Sequence, residues 1–305
     1  MSLFIPDFFI LGAAKAGTTS LYDLLNEHSQ IKMSIVKEPM FFSRDDYYQR
    51  GLDWYSKTFF SADEEDSLFG EASPHYLFWA DKVAPRIHES AAQKELKFIV
   101  ILRDPVDRAY SWYWNMIKEG EESLPFEQAI AKETDRLRDE GNALRASGSM
   151  IYGYKKGSMY AEQIKAFLNH FPKENFFFLL QEDLQSKETR QIIGLFNFLG
   201  TSSDPIKNRA ARRNPASMPR SRKLQGLLRN TYPIKDKIKF FIPFRVRQAI
   251  KNVLTRMNSA PFSYPEINAE SERMLRKYFA AEVRELQNLV GRDLSHWLPQ
   301  TEEQE

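Results

Sequence analysis

Cysteine is absent from the 305 residues of this chain. Its absence excludes disulfide bonds, thiolate nucleophiles and zinc sites built on sulfur. A chain without cysteine is compatible with a reducing compartment, and we therefore expect a cytoplasmic protein. Any catalytic base or nucleophile must come from other residue types.

Long apolar segments and a strong net charge are also missing. The best apolar runs, 98–102 and 176–180, fall far short of the roughly 20 residues that span a bilayer. The N-terminal stretch has no basic region and contains Pro6 and Asp7, which is not typical of a signal peptide. The formal net charge of +2 is too mild to predict nucleic-acid binding. We expect a soluble protein that is at most peripheral at a membrane.

Apolar residues make up 42% of the chain and aromatic residues 13%, which predicts a globular protein with a sizeable core. Short apolar runs typical of buried strands cover 8–11, 67–71, 97–102 and 175–180. Helical spacing is found at 19–27, 82–90, 105–118, 126–144, 160–170 and 189–199. The alternation predicts an α/β fold with a doubly wound, mainly parallel sheet that binds ligands at the carboxyl ends of its strands.

The strand signals stop at about residue 205. A basic loop and helical patterns at 222–229, 245–257 and 269–290 follow. Because no repeat or low-complexity linker separates this part from the rest, we expect a single domain over 1–305. Its α/β core would cover about 5–204, and a helical C-terminal part at about 205–300 would pack on that core.

The first strand runs into GAAKAGTT, in which Gly12 and Gly17 have the spacing of a phosphate-binding loop. A helix that starts at Thr18 or Thr19 would direct its free N–H groups and its dipole toward an anion. Lys15 adds a point charge, and the threonine hydroxyls add donors. The alternative is that this glycine-containing turn merely joins a strand to a helix.

Two features separate this loop from that of nucleoside-triphosphatases. There, lysine directly follows the second glycine and a hydroxyl holds magnesium, whereas here Thr18 follows Gly17 and Lys15 lies in mid-loop. A triphosphatase would also end the strand 97–102 on a metal-holding acidic residue, but here Arg103 follows it. This cation predicts direct contact with a further phosphate and P-loop-like chemistry that needs no metal.

A second anion site is predicted after this strand. Asp104 is a good N-cap for the next helix, and Arg103 lies just before it. An arginine at a strand tip and a serine two turns into the adjacent helix, Ser111, can share one phosphate, with Arg108 as a candidate helper. The alternative is that Arg103 pairs with Asp104 or Asp107 on the surface and that Ser111 is a neutral helix residue.

Six motifs occur in an order that resembles the sulfotransferases that use 3′-phosphoadenosine-5′-phosphosulfate (PAPS). They are GAAKAGTTSLYDLL, KEPMFF, GEASPHY, LRDPVDRAYSWY, FPKENFFFLLQEDL and RRNPASMPRS. The chain is most similar to the branch of heparan sulfate sulfotransferases and their bacterial relatives, from Phe8 to about Trp297. The resemblance implies an enzyme that transfers a sulfuryl group from PAPS, releases 3′,5′-adenosine bisphosphate and requires no metal.

The resemblance also implies where the donor binds. The phosphate loop would hold the 5′-phosphosulfate, and Arg103 and Ser111 the 3′-phosphate. The segment 207–223, with seven Lys or Arg and no acidic residue, would close over the nucleotide, although such a run is usually a solvated surface. Trp112 could stack on adenine or pack in the core. The donor-binding candidates are Lys15, Ala16, Gly17, Thr18, Thr19, Ser20, Arg103, Ser111, Arg212, Arg213, Asn214 and Arg220.

Two residues are candidates for the general base that takes the acceptor proton. Glu38 precedes Pro39 in a loop, and a glutamate at this motif looks like the base in heparan-type relatives; the alternative is an exposed carboxylate paired with Lys37. His75 is the other candidate because histidine titrates near neutrality, although a lone histidine is more often structural. Lys15 would stabilise the charge on the leaving phosphate oxygen. The catalytic candidates are Lys15, Glu38 and His75.

The acceptor is the least defined part of the prediction. Heparan-type members usually place a lysine directly after the glutamate that corresponds to Glu71, and this chain has Ala72 there. Glu71 could hold substrate or Lys15, or only end its strand. The segment 235–257 mixes basic and apolar residues, which suits a lipid surface, the acceptor cleft or packing on the core. We expect a hydroxyl, less readily an amine, on a glycan, glycolipid or small metabolite.

Two other classes of function stay open on the sequence alone. A nucleotide kinase-like phosphotransferase would show metal-dependent ATP turnover, and it is disfavoured by the missing lysine after Gly17 and by Arg103. A non-catalytic protein that binds nucleotides or polyanions through 207–223 would not depend on Glu38 or His75.

Overall fold

A five-stranded parallel sheet forms the centre of the fold. The computed structural model describes residues 4–61, 67–91, 94–186, 190–202, 217–221, 253–254 and 257–300. The strands are β1 (Phe8–Gly12), β2 (Ile31–Met33), β3 (Leu68–Ala72), β4 (Lys97–Leu102) and β5 (Phe176–Leu180). Their order is β2-β3-β1-β4-β5, so β1 is central and the chain builds first one side of the sheet and then the other.

The strands at the centre are apolar because helices cover both faces of the sheet. Every residue of β1 is buried, and so are residues 98–102 of β4. Since successive side chains point to opposite faces, this burial means that neither face is open to water. The predicted α/β fold with a mainly parallel sheet is confirmed. The short edge strand β2 was not predicted because three residues, one of them a lysine, give too brief an apolar signal.

Helices connect the strands and pack on the sheet. They are α1 (Thr18–Asn26), α2 (Asp45–Tyr48), α3 (Gly51–Phe59), α4 (His75–Phe78), α5 (Ala80–Ala91), α6 (Pro105–Glu119), α7 (Phe126–Asp139), α8 (Gly141–Ser147), α9 (Tyr160–Leu168), α10 (Gln181–Gln185), α11 (Arg190–Leu199) and α12 (Ala269–Val290). Within the described ranges, none is both long and apolar enough to cross a bilayer.

Two sequence-based assignments need correction. The helix predicted over 126–144 is two helices, because the backbone leaves helical geometry at Glu140, directly before Gly141. The strand signal does not end at 205, since β6 (Ser217–Pro219) and β7 (Ser259–Pro261) form a two-stranded antiparallel sheet. The helix predicted over 222–229 and most of the one predicted over 245–257 lie outside the described residues.

The long C-terminal helix α12 packs against α6 and α9 of the core, as the sequence predicted. Its N-terminus is capped by the Asn268 side chain, which accepts from the amides of Glu270 and Ser271. Arg276 of α12 donates to Asp104, the residue that caps α6, at 3.0 Å. The last helix is therefore tied directly to the start of the helix that follows β4.

Arg108 of α6 is fully buried and links three segments of the chain. Its Nε donates to the carbonyl of Ala14 at 3.1 Å, and its Nη1 donates to the carbonyls of Gly153 and Tyr154 at 2.8 and 3.0 Å. Burial lowers the pKa of this guanidinium to about 10. Gly157 packs so closely on the guanidinium that a Cβ at this position would displace it. The hydrogen bonds of its Nε and Nη1 are thus directed at backbone carbonyls, whereas among the described residues its buried Nη2 has no hydrogen-bond partner. That Arg108 assists phosphate binding stays a prediction.

We expect Arg108→Ala to lower the free energy of unfolding by about 3 kcal/mol or more, because it leaves a large cavity and removes the donor from three buried carbonyls. Urea denaturation followed by circular dichroism measures this. The matched control is Arg145→Ala, which removes a half-exposed arginine paired with Asp81 and is expected to cost no more than about 1 kcal/mol. Equal losses in the two variants would contradict the proposed role of Arg108.

Candidate active site

The loop between β1 and α1 has the geometry of an anion cradle. Gly17 directly precedes α1 with φ 108° and ψ 12°, a left-handed conformation that favours glycine. The helix starts at Thr18, and in this described segment no side chain caps it. The N–H groups of its first turn are therefore directed at the loop, where the helix dipole favours an anion. Thr18 is buried and Thr19 is exposed, so the two hydroxyls differ in access to a ligand.

Lys15 lies within this loop in a left-handed conformation, with φ 72°. Its Nζ donates to Oδ1 of Asn115 on α6 at 3.3 Å. Burial, together with the nearby positive charges of Lys118 and Arg103, lowers the pKa of Lys15 to about 8, although Glu38 acts in the opposite direction. An excess of positive charge therefore surrounds the loop, and a bound anion would relieve it.

One face of α6 lines the loop. Ser111, Asn115 and Lys118 are spaced by four and three residues, which places them on the same side of a helix. Ser111 is buried and hydrogen-bonds with the side chain of Tyr264, whose ring stacks on Trp114 with a centroid distance of 5.8 Å. Tyr264 belongs to the segment between β7 and α12, so the C-terminal part reaches the predicted 3′-phosphate site.

Arg103 follows β4 and contacts the loop from the other side. Its Nη1 donates to the carbonyl of Lys15 at 3.4 Å, and its Nη2 pairs with Asp107 at 3.2 Å. The side chain is 24% exposed, and among the described residues its buried Nε has no hydrogen-bond partner. The surface pair with Asp107 is therefore present, but Arg103 also adjoins the loop and keeps a donor for a ligand.

Trp112, the neighbour of Ser111, is a core residue. Only 6% of it is exposed, and its indole N–H donates to the carbonyls of Met150 and Ile151 at 3.0 and 3.2 Å. Its ring edge meets His75 at a centroid distance of 6.2 Å. Of the two interpretations open from the sequence, the structure supports packing in the core over stacking on adenine.

Glu38 lies in the loop after β2, with 40% of its side chain exposed. It forms an ion pair with Lys37 at 2.6 Å, which the sequence left open as its structural alternative. Desolvation raises the pKa of Glu38, but Lys37, His75 and Lys15 outweigh it and hold the pKa below its ordinary value. Glu38 therefore interacts electrostatically with both Lys15 and His75 at the same edge of the sheet.

His75 opens α4, immediately after β3. Its Nδ1 lies 2.9 Å from the carbonyl oxygen of Gly148. A carbonyl only accepts, so Nδ1 must carry the proton, and in the neutral ring Nε2 is then the acceptor. His75 therefore has a fixed tautomer and an acceptor nitrogen available for base chemistry or for orienting a hydroxyl.

Glu71, the penultimate residue of β3, is fully buried. Its carboxylate accepts from the hydroxyls of Tyr55 and Ser73, with Ser73 Oγ at 2.6 Å, and hydrogen-bonds with Tyr76. Burial raises the pKa of Glu71 to about 7, although the three hydroxyls act in the opposite direction. The sequence left open a contact with substrate or with Lys15; in the structure the carboxylate is directed at hydroxyls inside the core.

Part of the predicted donor site lies outside the described residues. This applies to Arg212, Arg213 and Asn214. Arg220 is described, is exposed, and donates its backbone N–H to the carbonyl of Asn258 at 2.6 Å. Its role in donor binding stays a prediction.

Three residues at the site were not predicted from the sequence. Asn115 and Lys118 could have been found from their helical spacing with Ser111, which places all three on one face of α6. Tyr264 has no such signal, because it is brought to Ser111 by the fold over more than 150 positions of sequence.

Comparison with known proteins supports the resemblance carried by the motifs. A family model described as "Sulfotransferase domain" matches residues 5–225. The crystal structure of a sulfotransferase from Alicyclobacillus acidocaldarius matches with a TM-score of 0.68 and 26% identity, over 96% of this chain and 99% of that one.

Curated relatives match a smaller share of their own length. The membrane-associated sulfotransferase kil1 of Dictyostelium discoideum is 27% identical over 65% of this chain and 56% of that protein. Heparan sulfate glucosamine 3-O-sulfotransferase 3A1 of Mus musculus is 32% identical over 64% of this chain and 46% of that protein. The chain therefore spans about half the length of these curated relatives.

We expect the affinity for 3′,5′-adenosine bisphosphate to fall as the pH rises above about 8. Above this pH the amine of Lys15 is mostly neutral in the free protein. Because only the charged amine attracts the anion, binding is then accompanied by the uptake of a proton. For a single linked proton, the fall in affinity approaches about tenfold per pH unit. Titration calorimetry between pH 7 and 9.5 measures it. Lys15→Arg, which stays charged throughout, should give a flatter profile, and identical profiles would contradict the role of Lys15.

Proposed function

Because this chain belongs to the sulfotransferase family, we propose that it transfers a sulfuryl group from PAPS to a hydroxyl of an acceptor. The observation that carries the proposal is the positively charged edge formed by Lys15, Arg103 and the N-terminus of α1. These groups fit a donor with two separate phosphate positions. The partly exposed guanidinium of Arg103, whose Nη1 lies 3.4 Å from the carbonyl oxygen of Lys15, supports a position for one of them beside the loop.

Two different sets of residues would bind the two phosphate positions of the donor. We place the 5′-phosphosulfate at the α1 N-terminus, where Lys15, Gly17 and Thr18 donate to it. We place the 3′-phosphate between Arg103 and Ser111, where the hydroxyl of Tyr264 is also present. The donor supplies an activated sulfuryl group whose sulfur–oxygen bond to the phosphate breaks as the acceptor oxygen bonds to sulfur.

Lys15 and Glu38 act at opposite ends of this transfer. Lys15 neutralises the charge that develops on the phosphate oxygen as it leaves. Glu38 takes the proton of the acceptor hydroxyl, and its low pKa keeps it ionised and able to accept. His75, with its acceptor Nε2 at the same edge, orients the acceptor hydroxyl and is the alternative base.

The acceptor that we propose is a hydroxyl on a glycan, a glycolipid or a small metabolite, with an amine as the less favoured group. Support for a sugar hydroxyl comes from relatives named for 3-O-sulfation of glucosamine. The acceptor side is not copied from them, because Ala72 stands where such relatives usually have a lysine. The cytoplasmic location expected from the absence of cysteine stays a prediction.

Titration calorimetry with 3′,5′-adenosine bisphosphate tests the donor site directly. We expect tight binding without metal and much weaker binding of AMP, because AMP lacks the phosphate that Arg103 and Ser111 would hold. ATP with magnesium serves as the comparison. Binding of ATP–magnesium in the absence of bisphosphate binding would contradict the sulfotransferase function and favour a phosphotransferase.

Glu38→Gln tests the base. We expect the turnover number to fall about 100-fold to 10,000-fold, the usual contribution of a general base, while the affinity for the bisphosphate changes little. Transfer of ³⁵S from labelled PAPS to a panel of sugar, glycolipid and phenol acceptors measures turnover. The matched control is Asp53→Asn, an exposed carboxylate paired with Lys57, which should behave as the unmodified chain. Normal turnover in Glu38→Gln would assign the base role to His75 or to solvent.

A further inference from the structure

The loop that carries Glu38 has an unusual backbone. Glu38 has φ 64° and Met40 has φ 55°, so two residues other than glycine adopt the left-handed region on either side of Pro39. Each such residue costs of order 1–3 kcal/mol and persists only where surrounding contacts impose it. The contacts that impose this conformation must therefore be sought in the neighbouring structure.

Three amides of the loop, at alternate positions, are held by the end of β3 and the start of α4. The N–H of Glu38 donates to the carbonyl of Ala72 at 3.0 Å. The N–H of Met40 donates to Oγ of Ser73 at 3.0 Å. The N–H of Phe42 donates to the hydroxyl of Tyr76 at 3.2 Å. Two of these three anchors are side-chain hydroxyls.

A hydroxyl can serve as an acceptor here only if its own proton points elsewhere. Ser73 donates its proton to Glu71 at 2.6 Å, and Tyr76 also hydrogen-bonds with Glu71. Above its pKa of about 7 the carboxyl group of Glu71 is ionised and only accepts. In this state it fixes the direction of both hydroxyl protons and leaves the oxygen lone pairs for the amides of Met40 and Phe42. The buried carboxylate of Glu71 thus acts on the loop through the hydroxyl groups of Ser73 and Tyr76.

We propose that Glu71 is a positioning residue for Glu38: by orienting the hydroxyls of Ser73 and Tyr76 it fixes the loop that presents Glu38 to the acceptor. The inference rests on the proposed function. It also accounts for the burial of a carboxylate that has only hydroxyl partners among the described residues. Such burial is costly for stability, and here it maintains the geometry of the base.

Tyr55 provides a matched control for the test. It also donates to Glu71 from a fully buried position, but its hydroxyl holds none of the three loop amides described above. Tyr55→Phe and Tyr76→Phe therefore remove the same group from the same carboxylate, and only the second removes an anchor of the loop. Ser73→Ala removes the other anchor.

The first measurement is hydrogen exchange of the 37–43 peptide at pH 8, followed by mass spectrometry. We expect Ser73→Ala and Tyr76→Phe to speed exchange of the Met40 or Phe42 amide at least about tenfold, whereas Tyr55→Phe leaves this peptide unchanged. This readout requires neither donor nor acceptor. Equal exchange in all three variants would overturn the proposal.

The second measurement is turnover with saturating PAPS and the best acceptor of the panel. We expect Ser73→Ala and Tyr76→Phe to lower kcat about tenfold or more, because a misplaced base loses much of its effect, with the bisphosphate Kd within about twofold. Tyr55→Phe should keep kcat within about twofold despite a similar fall in Tm. Equal kcat losses in Tyr55→Phe and Tyr76→Phe would indicate a role in core stability alone and overturn the proposal.

The two measurements separate this inference from the proposed function. If exchange changes as expected but the unmodified chain transfers no sulfuryl group to any acceptor and binds no bisphosphate, the proposed function fails while the anchoring of the loop stands. If the unmodified chain is active and the anchoring variants keep full kcat, the function stands and the positioning role of Glu71 fails.

Discussion

The geometry of the site depends on one buried guanidinium. Arg108 is surrounded by protein, and its described hydrogen bonds go to backbone carbonyls on the phosphate loop and on the segment at 153–154. Because it extends from α6, it keeps the helix that bears Ser111 and Asn115 at a fixed distance from the loop that bears Lys15. A charge in this place is costly to bury. In return, the two elements that the proposed donor would contact are held at a fixed separation.

The same region concentrates positive charge without neutralising it fully. Lys15 lies close to Lys118 and Arg103. Its pKa is lowered by its burial and by repulsion from these two positive charges. Glu38 opposes this effect, and in the proposed function it acts on the acceptor. An anionic donor would supply the missing negative charge, so the free protein is electrostatically prepared for a ligand at the expense of its own stability.

The sequence was informative where local chemistry decides the structure. The runs that become β1, β4 and β5, the Asp104 cap, and the helix start at Thr18 could all be predicted from neighbouring residues. What could not be predicted depends on distant contacts. Tyr264 meets Ser111 only through the fold, and the left-handed backbone at Glu38 is accompanied by hydrogen bonds to another strand end. The full burial of Arg108 has no signature in the sequence.

The strand order has a consequence for how such a protein can diversify. Arg103 follows β4 on one side of β1, whereas Glu71 and His75 lie at β3 on the other side, beside the loop of Glu38. In the proposed function, the donor half and the acceptor half of the site would therefore be built from different loops, which are connected at Lys15 and at the contact between Trp112 and His75. Under the proposed function, exchange of the loops on the β2–β3 side would alter the choice of acceptor and leave the nucleotide-binding half unchanged.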